Sequence, residues 1–418
     1  MNHVLWFVNK VPLDVARAAG ETGVRGGWID AYVEIARTLP DLELTVAFPD
    51  WTRRSPDTSI GGVRYVGLPT GDDGSAPARI LTRWRHDAAP RDLVAAASAL
   101  VRAIAPDLVH VHGADGPWGP ALADCGAPVL LSVQGSPTAI RGVYSRGIDR
   151  HYVRSLSLTD FLRGVGGVHR YLSLRSRASS EARAMAAASH VAGRTDWDRR
   201  LAAVMAPQAA YHHCDEPLRT GFGDASWDPR TAIAGRILSV SGQYPLKGVG
   251  TLLRAFATLR AMRPETTLVI AGLPSTSEDE RAAVRHASAL GLGGCVTLAG
   301  ELDEASLIEE LRRASVCVNP SHMENSSNAL CEAQIVGVPC VASCAGGLVS
   351  IADHGSAALL VQDGDPEALA GAVLSLLDDP DGAMRLGQRA KALAAERHDR
   401  ERIRTQLSGI YAEMLGGS

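Results

Sequence analysis

The sequence predicts an α/β protein of two doubly wound domains, each a mainly parallel sheet with helices on both faces. Three observations predict it. The chain has 418 residues, well past the ~250–300 at which a single hydrophobic core stops growing. Short continuous apolar runs alternate with helical stretches through both halves, the pattern of parallel strands buried on both faces. The alternation stops at a polar stretch containing Gly and Pro, residues 215–230, and then restarts.

In the first half the spacing predicts strands at 4–8, 42–48, 108–112, 129–133 and 189–193, with helices at 28–39, 91–104 and 180–188. In the second half it predicts strands at 237–241, 267–271, 295–298, 315–318, 340–342 and 358–361. Helices are expected there at 249–262, 279–290, 304–313, 328–336 and 366–377. The domains are thus 1–222 and 223–399, followed by a helical tail with a break near His398 and Asp399. Ligands of such sheets bind outside the carboxyl ends of the strands.

Composition excludes several classes. A hydrophobic fraction of 46% with 21% charged residues fits a globular enzyme, not a disordered chain. A net charge of −4 supplies no field for nucleic acid. No apolar run reaches the ~18–20 residues of a membrane span, and the run at 4–8 is too short for a signal segment. A cytoplasmic protein is expected, at most peripheral on the inner membrane face. Seven cysteines without a C-x-x-C pair read as buried thiols in a reducing compartment. A P-loop, a strand-linked G-x-G-x-x-G, H-E-x-x-H and G-x-S-x-G are all missing from the sequence, which argues against kinase, dehydrogenase, zincin and serine-hydrolase chemistry.

The segment Pro320-Ser-His-Met-Glu324-Asn-Ser-Ser-Asn-Ala-Leu-Cys-Glu332 directly follows a predicted strand. Ser326 or Ser327 suits the N-cap of the next helix, and a helix start opened by small residues is an anion site. A diphosphate fits on Ser327, Asn328 and Ala329, with Glu332 accepting ribose hydroxyls and Glu324 gripping a sugar. The bland alternative is an ordinary strand–loop–helix with acids near its start. In Tyr244-Pro-Leu-Lys247-Gly248, Lys247 stands between a strand and a helix, where a mobile cation offsets charge on a departing phosphate.

With these segments on the page, the chain resembles glycosyltransferase family 4, in its bacterial branch with YPLKG and ENSxNxxxEA motifs. The matching segments are YPLKG (244–248), ENSSNALCEA (324–333), Gly26-Gly27, HVHG (110–113), SVQG (132–135), GRTDWD (193–198), YHHCDEPLR (211–219) and Gly346-Gly347. The resemblance implies a GT-B fold, two Rossmann-like domains across a cleft, with segment 400–418 returning to the first. It implies a retaining hexosyltransferase that needs neither metal nor cofactor, its nucleotide-sugar donor being a substrate. The second domain would hold the donor, UDP by default, through Ser326, Ser327, Asn328, Ala329, Leu330, Glu332 and the region of Leu302. Glu324 and Lys247 would serve catalysis, and Gly26 and Gly27 would admit the phosphates from the first domain. The first domain would hold a sugar, a lipid-linked sugar or a small molecule as acceptor, through His112, Gln134 and Gly135.

Two positions depart from most relatives. Gly242 stands where an Arg is usual, with Arg194 as the candidate replacement cation. Gln134 stands where many carry a His.

His112 is expected to face the crevice mouth and His110 the opposite side of the sheet. Residues Arg141 to Arg183 hold nine arginines with Tyr144, Tyr152, Phe161 and Tyr171 interleaved. That stretch reads either as a surface for anionic lipid or a lipid diphosphate, or as a solvated helical face. Rival functions are a sugar-nucleotide epimerase or phosphorylase of the same fold, and a non-catalytic scaffold.

Overall fold

The computed structural model describes residues 2–20, 27–50, 57–70, 75–123 and 125–416. These form two compact units. The first comprises residues 1–138, 162–217 and 398–418; the second comprises 139–161 and 218–397.

The first unit is built on an eight-stranded sheet: β1 Asn2–Phe7, β2 Leu42–Asp50, β3 Thr58–Ile60, β4 Val63–Pro69, β5 Leu108–His112, β6 Val129–Ser132, β7 His190–Gly193 and β8 Ala210–His213. Their order is β3-β4-β2-β1-β5-β6-β7-β8, parallel except for the β3–β4 hairpin. The chain runs outward from β1 on one side and from β5 on the other, so the direction of winding switches between these two strands. Phe7, Val109, Val111 and Leu131 pack into one core, and Val4, Trp6, Leu108 and Leu130 into another. The second of these cores is closed by the terminal helix Arg400–Gly416. Ile403, Leu407, Ile410, Tyr411 and Met414 recur at helical spacing and are all buried. Each contributes about 1.5–3 kcal/mol, enough to hold that helix on this unit.

The second unit has six parallel strands: β9 Arg236–Val240, β10 Thr267–Ala271, β11 Val296–Gly300, β12 Val316–Asn319, β13 Cys340–Ser343 and β14 Leu359–Val361. Their order, β11-β10-β9-β12-β13-β14, is that of a dinucleotide-binding sheet, with its switch point between β9 and β12. Two doubly wound units of the GT-B type are therefore present, as the sequence predicts.

Three strands escaped the sequence reading. β3 and β8 are only three and four residues long, and β4 is flanked by Gly61-Gly62 and ends in Pro69, which masks its pattern. The helix expected at 180–188 is the end of a much longer one, Gly167–Ala187. Residues 139–161 lie between two pieces of the first unit in sequence but pack in the second. Tyr152 stacks on Tyr244 at 5.7 Å and 11°, and the Ser157 amide donates to Glu278 at 2.8 Å. Such long-range partners leave no periodic trace in sequence.

Candidate functional site

Most of the predicted donor residues follow two adjacent strands of the second unit, Gly242 and Lys247 after β9 and residues 324–332 after β12, whereas Leu302 follows the edge strand β11. After β9, Gly248 adopts φ +66 and a Cβ there would collide with the Pro320 carbonyl. This glycine lets the loop carrying Lys247 close against the loop after β12, where the His322 amide donates to the Leu246 carbonyl at 2.9 Å. The Lys247 ammonium then reaches the Glu324 carboxylate at 2.6 Å, and Ser321 Oγ donates to the same oxygen at 2.9 Å. Behind them, Gly346 (φ +55) packs so closely on the Glu324 carbonyl that a Cβ would clash. The Gly347 amide donates to that carbonyl at 3.0 Å. The sequence names both acids and the lysine; the structure makes Lys247 and Glu324 one ion pair.

Ser327, not Ser326, caps the helix Asn328–Val336. Its hydroxyl accepts from the Leu330 amide at 3.4 Å and from Asn319 Nδ2 at 2.7 Å. The amides of Asn328 and Ala329 in the same turn point out of the helix start. The Leu330 side chain is buried in the core, so only its backbone is available to a ligand. Glu332 is 6% exposed, and one of its oxygens accepts from both Nε (3.0 Å) and Nη2 (2.7 Å) of Arg219. Arg219 lies 4.7 Å over the Phe222 ring. Leu302 is half-buried and packs on the cluster containing Phe222. Gly242 has an open flank: a Cβ there would meet only the Gly272 carbonyl, at 3.6 Å.

Sequence reasoning gave Arg219 no role, although it ends the quoted YHHCDEPLR segment. It also missed the buried pair His322 Nδ1–Asp363 Oδ1 at 2.6 Å. Tyr244 is fully buried, and its hydroxyl contacts Asp149 Oδ2 at 2.7 Å and His286 Nδ1 at 2.5 Å. The tyrosine of YPLKG thus anchors residues 139–161.

In the first unit, the residues expected near the acceptor lie at the carboxyl ends of β5, β6 and β7. Gly26 lies outside the described residues; Gly27 is extended and caps the helix Trp28–Ala36. The expectation for the histidines is corrected. His110 and His112 have ring centroids 3.9 Å apart and both contact Trp6 and Tyr32. Residues two apart on a strand share a face, so they could not lie on opposite sides. His110 bridges Tyr411 and Ser132, both at 2.8 Å, and burial lowers its pKa to about 3. His112 is held well below the usual range by burial and then by His110, and neither ring nitrogen has a hydrogen-bond partner among the described residues. Both rings are neutral at pH 7.

Arg194 and Gln134 are corrected too. Arg194 forms a buried ion pair with Glu216, and its Nη2 donates to the Val133 carbonyl at 2.9 Å and to Gln134 Oε1 at 3.3 Å. Gln134 Nε2 donates to Glu216. This makes Arg194 a buried structural cation instead of an open phosphate ligand, and it ties both ends of the Gln134 amide. Glu216 was another missed residue; burial raises its pKa despite Arg194 and Gln134. Gly135 carries no close neighbour where a Cβ would stand.

The arginine-dense stretch is divided between the two units. Residues 139–161 belong to the second unit and those from 162 onward to the first. Its aromatics Tyr144 and Tyr152 are buried, while Tyr171 is 43% exposed. No helix among the described residues is long and apolar enough to cross a membrane. Four cysteines, Cys214, Cys317, Cys331 and Cys340, are buried free thiols, whereas Cys344 is exposed.

Residues 234–393 match the family model described as glycosyl transferases group 1. Over 199 residues the chain is 32% identical to a glycogen synthase of Mycobacterium tuberculosis, covering 46% of this chain and 47% of that protein. Over 185 residues it is 34% identical to a D-inositol 3-phosphate glycosyltransferase of Thermobispora bispora, covering 43% of each. The matches thus span about half the length, or less, of these curated relatives. Among solved structures, a sucrose-phosphate synthase from Thermosynechococcus elongatus superposes with a TM-score of 0.72 at 18% identity, covering all of both chains. Anabaena HepE in complex with UDP and glucose gives 0.64 at 17% identity, covering 99% of this chain and 100% of that one. At these identities the structures establish the GT-B fold.

Proposed function

We propose that the chain is a retaining glycosyltransferase that moves a hexose-type sugar from a nucleoside diphosphate, UDP by default, to a hydroxyl acceptor. The observation that carries this reading is the Lys247–Glu324 ion pair at the switch point of the second sheet, together with the Ser327-capped helix that follows the same strand as Glu324. A group 1 domain over 234–393 and relatives named as glycosyltransferases support it. So does the UDP and glucose in the HepE complex.

In this reading the diphosphate lies on the amides of Asn328 and Ala329, where a helix start favours anions. Arg219 holds one oxygen of Glu332, turning the other toward the ribose hydroxyls. Lys247 leaves Glu324 for the diphosphate, and Glu324 is released to the sugar hydroxyls. The bond from the anomeric carbon to the phosphate oxygen breaks, with the charge on the departing diphosphate offset by Lys247. The acceptor hydroxyl attacks the same face, its proton passes to the departing phosphate oxygen, and the configuration is retained. Arg194 takes no part in this reading, because its guanidinium is buried with Glu216 at 6% exposure, whereas the Lys247 side chain is 28% exposed and can leave its partner. Metal independence of this chemistry and a growing polysaccharide, glycolipid or natural product as acceptor belong to the same proposal, as does a cytoplasmic location.

Calorimetric titration with UDP, GDP and their sugar conjugates, with and without EDTA, tests it. Micromolar binding of one nucleotide, unaffected by EDTA and weakened in Glu332→Ala, is the expected result. Glu324→Ala should lower turnover more than donor affinity. If no nucleotide binds, the scaffold reading replaces this one; conversion of the UDP-sugar without acceptor would favour an epimerase.

A further inference from the structure

The first unit carries a second chemical cluster, away from the residues assigned to donor or acceptor. β7 and β8 pair with His190 opposite Ala210 and Ala192 opposite His212. The two histidines are therefore diagonal neighbours on one face of the sheet. Their rings stack with centroids 5.1 Å apart, and His190 Nδ1 lies 2.8 Å from His212 Nε2. The same face carries Ala192 into the core closed by the helix Arg400–Gly416. That helix brings Glu413, whose carboxylate lies 3.9 Å from His212 Nδ1. One ligand atom from each of the three residues lies within 4.8 Å of the other two.

Two imidazoles and a carboxylate are a donor set for a borderline divalent cation of the zinc kind. Zinc–nitrogen bonds of about 2.0–2.1 Å place tetrahedral nitrogens roughly 3.3 Å apart, so the two rings need to open by only about half an ångström. Glu413 approaches His212 from the Nδ1 side, whereas Nε2 faces His190. Its side chain, 62% exposed, has to swing round the ring edge to meet an ion held by His190 Nδ1 and His212 Nε2, within the 4.8 Å that the three ligand atoms span. β8 is an edge strand, so the cluster is reached from solvent. A metal ligand must be neutral imidazole.

The geometry points to a binding site for a zinc-class divalent cation formed by His190, His212 and Glu413, which fastens the C-terminal helix to the edge of the first sheet. This site is structural and independent of sugar transfer. The test uses the full chain stripped with EDTA and titrated with ZnCl2, and separately with MgCl2, by calorimetry and thermal unfolding. One zinc per chain with a rise in Tm, and no response to magnesium, is expected, since a ligand bound only by the folded state stabilises it. His212→Ala should abolish binding. Glu413→Gln changes an exposed side chain that the fold tolerates, and should weaken binding at least tenfold. His354→Asn, at an exposed histidine elsewhere, should bind as the parent does. Absence of zinc binding by the parent at about 100 µM, or undiminished affinity in either His212→Ala or Glu413→Gln, overturns the assignment.

Discussion

Replacing Arg194 by alanine should destabilise the first unit while leaving the second intact. The Arg194 and Glu216 side chains are 6% and 8% exposed, so the change strands a carboxylate in a site that water barely reaches. Removing one member of a buried pair costs about 3–5 kcal/mol. The upper half of that range is expected here, because the Val133 carbonyl and Gln134 Oε1 lose the same donor. The assay is urea unfolding followed by tryptophan fluorescence. Trp6, Trp28, Trp84, Trp118 and Trp197 belong to the first unit and Trp227 to the second, so the first unit dominates the signal of a chain that need not unfold in one step. The double variant Arg194→Leu/Glu216→Leu should recover part of the loss, since neither member of the pair is then left charged and unpaired, although the buried Asp198 still loses the Arg194 charge.

The pH dependence supplies a second readout of the same variant. Burial raises the Glu216 pKa and Arg194 opposes it, so in Arg194→Ala the pKa rises further. A carboxyl whose folded pKa is raised keeps its stability contribution below its unfolded pKa and loses it as pH rises through the folded value. The deficit relative to the parent should therefore shrink as the pH is lowered from 7.5 to 5.5. A deficit under about 1 kcal/mol at pH 7.5, or one that does not change with pH, would refute this account of the network.

Four further outcomes are expected. His110 and His112 are buried neutral, so the unfolded chain takes up their protons first. Stability should fall as pH drops below about 6.5, by about 1.4 kcal/mol per pH unit per histidine. His112→Phe should remove about half of that slope in unfolding curves at pH 7 to 5, and an unchanged slope counts against the buried pair. Gly346→Ala should weaken nucleotide-sugar binding at a cost of about 1–3 kcal/mol of backbone strain, because its Cβ meets the Glu324 carbonyl. Gly242→Arg, with only one neighbour at 3.6 Å, should leave Tm within a few degrees of the parent; a large fall would show that the flank is not open. Lys247→Ala should lower turnover by about 10²-fold or more if the lysine stabilises the departing diphosphate, measured by release of nucleotide under saturating donor.

The proposed donor side was the more legible half of the molecule because its signals are local. A strand, a small-residue turn, a Ser N-cap and an acid just over one helical turn on are neighbours in sequence, and chain geometry alone brings them to one strand end. Even the choice between Ser326 and Ser327 turned on a single cap hydrogen bond. The acceptor side was less legible. That Gln134, Arg194 and Glu216 share one buried network depends on strands 60 and 22 residues apart lying side by side. For the histidines the sequence did contain the answer, since a period of two puts His110 and His112 on the same face, but the alternation was read the wrong way round.

The sequence by itself determined that there are two doubly wound sheets, which loops carry Lys247 and Glu324, and which helix carries Glu332. Periodicity, caps and glycine turns are properties of short segments, and they act before any tertiary contact forms. Only the tertiary structure decided that Lys247 is paired with Glu324, Glu332 with Arg219, and Arg194 with Glu216. It alone assigned residues 139–161 to the second unit and brought Glu413 beside His212. A side chain's partner, and the burial that shifts its charge, depend on segments far away in sequence, and local pattern holds no record of which distant segment will arrive.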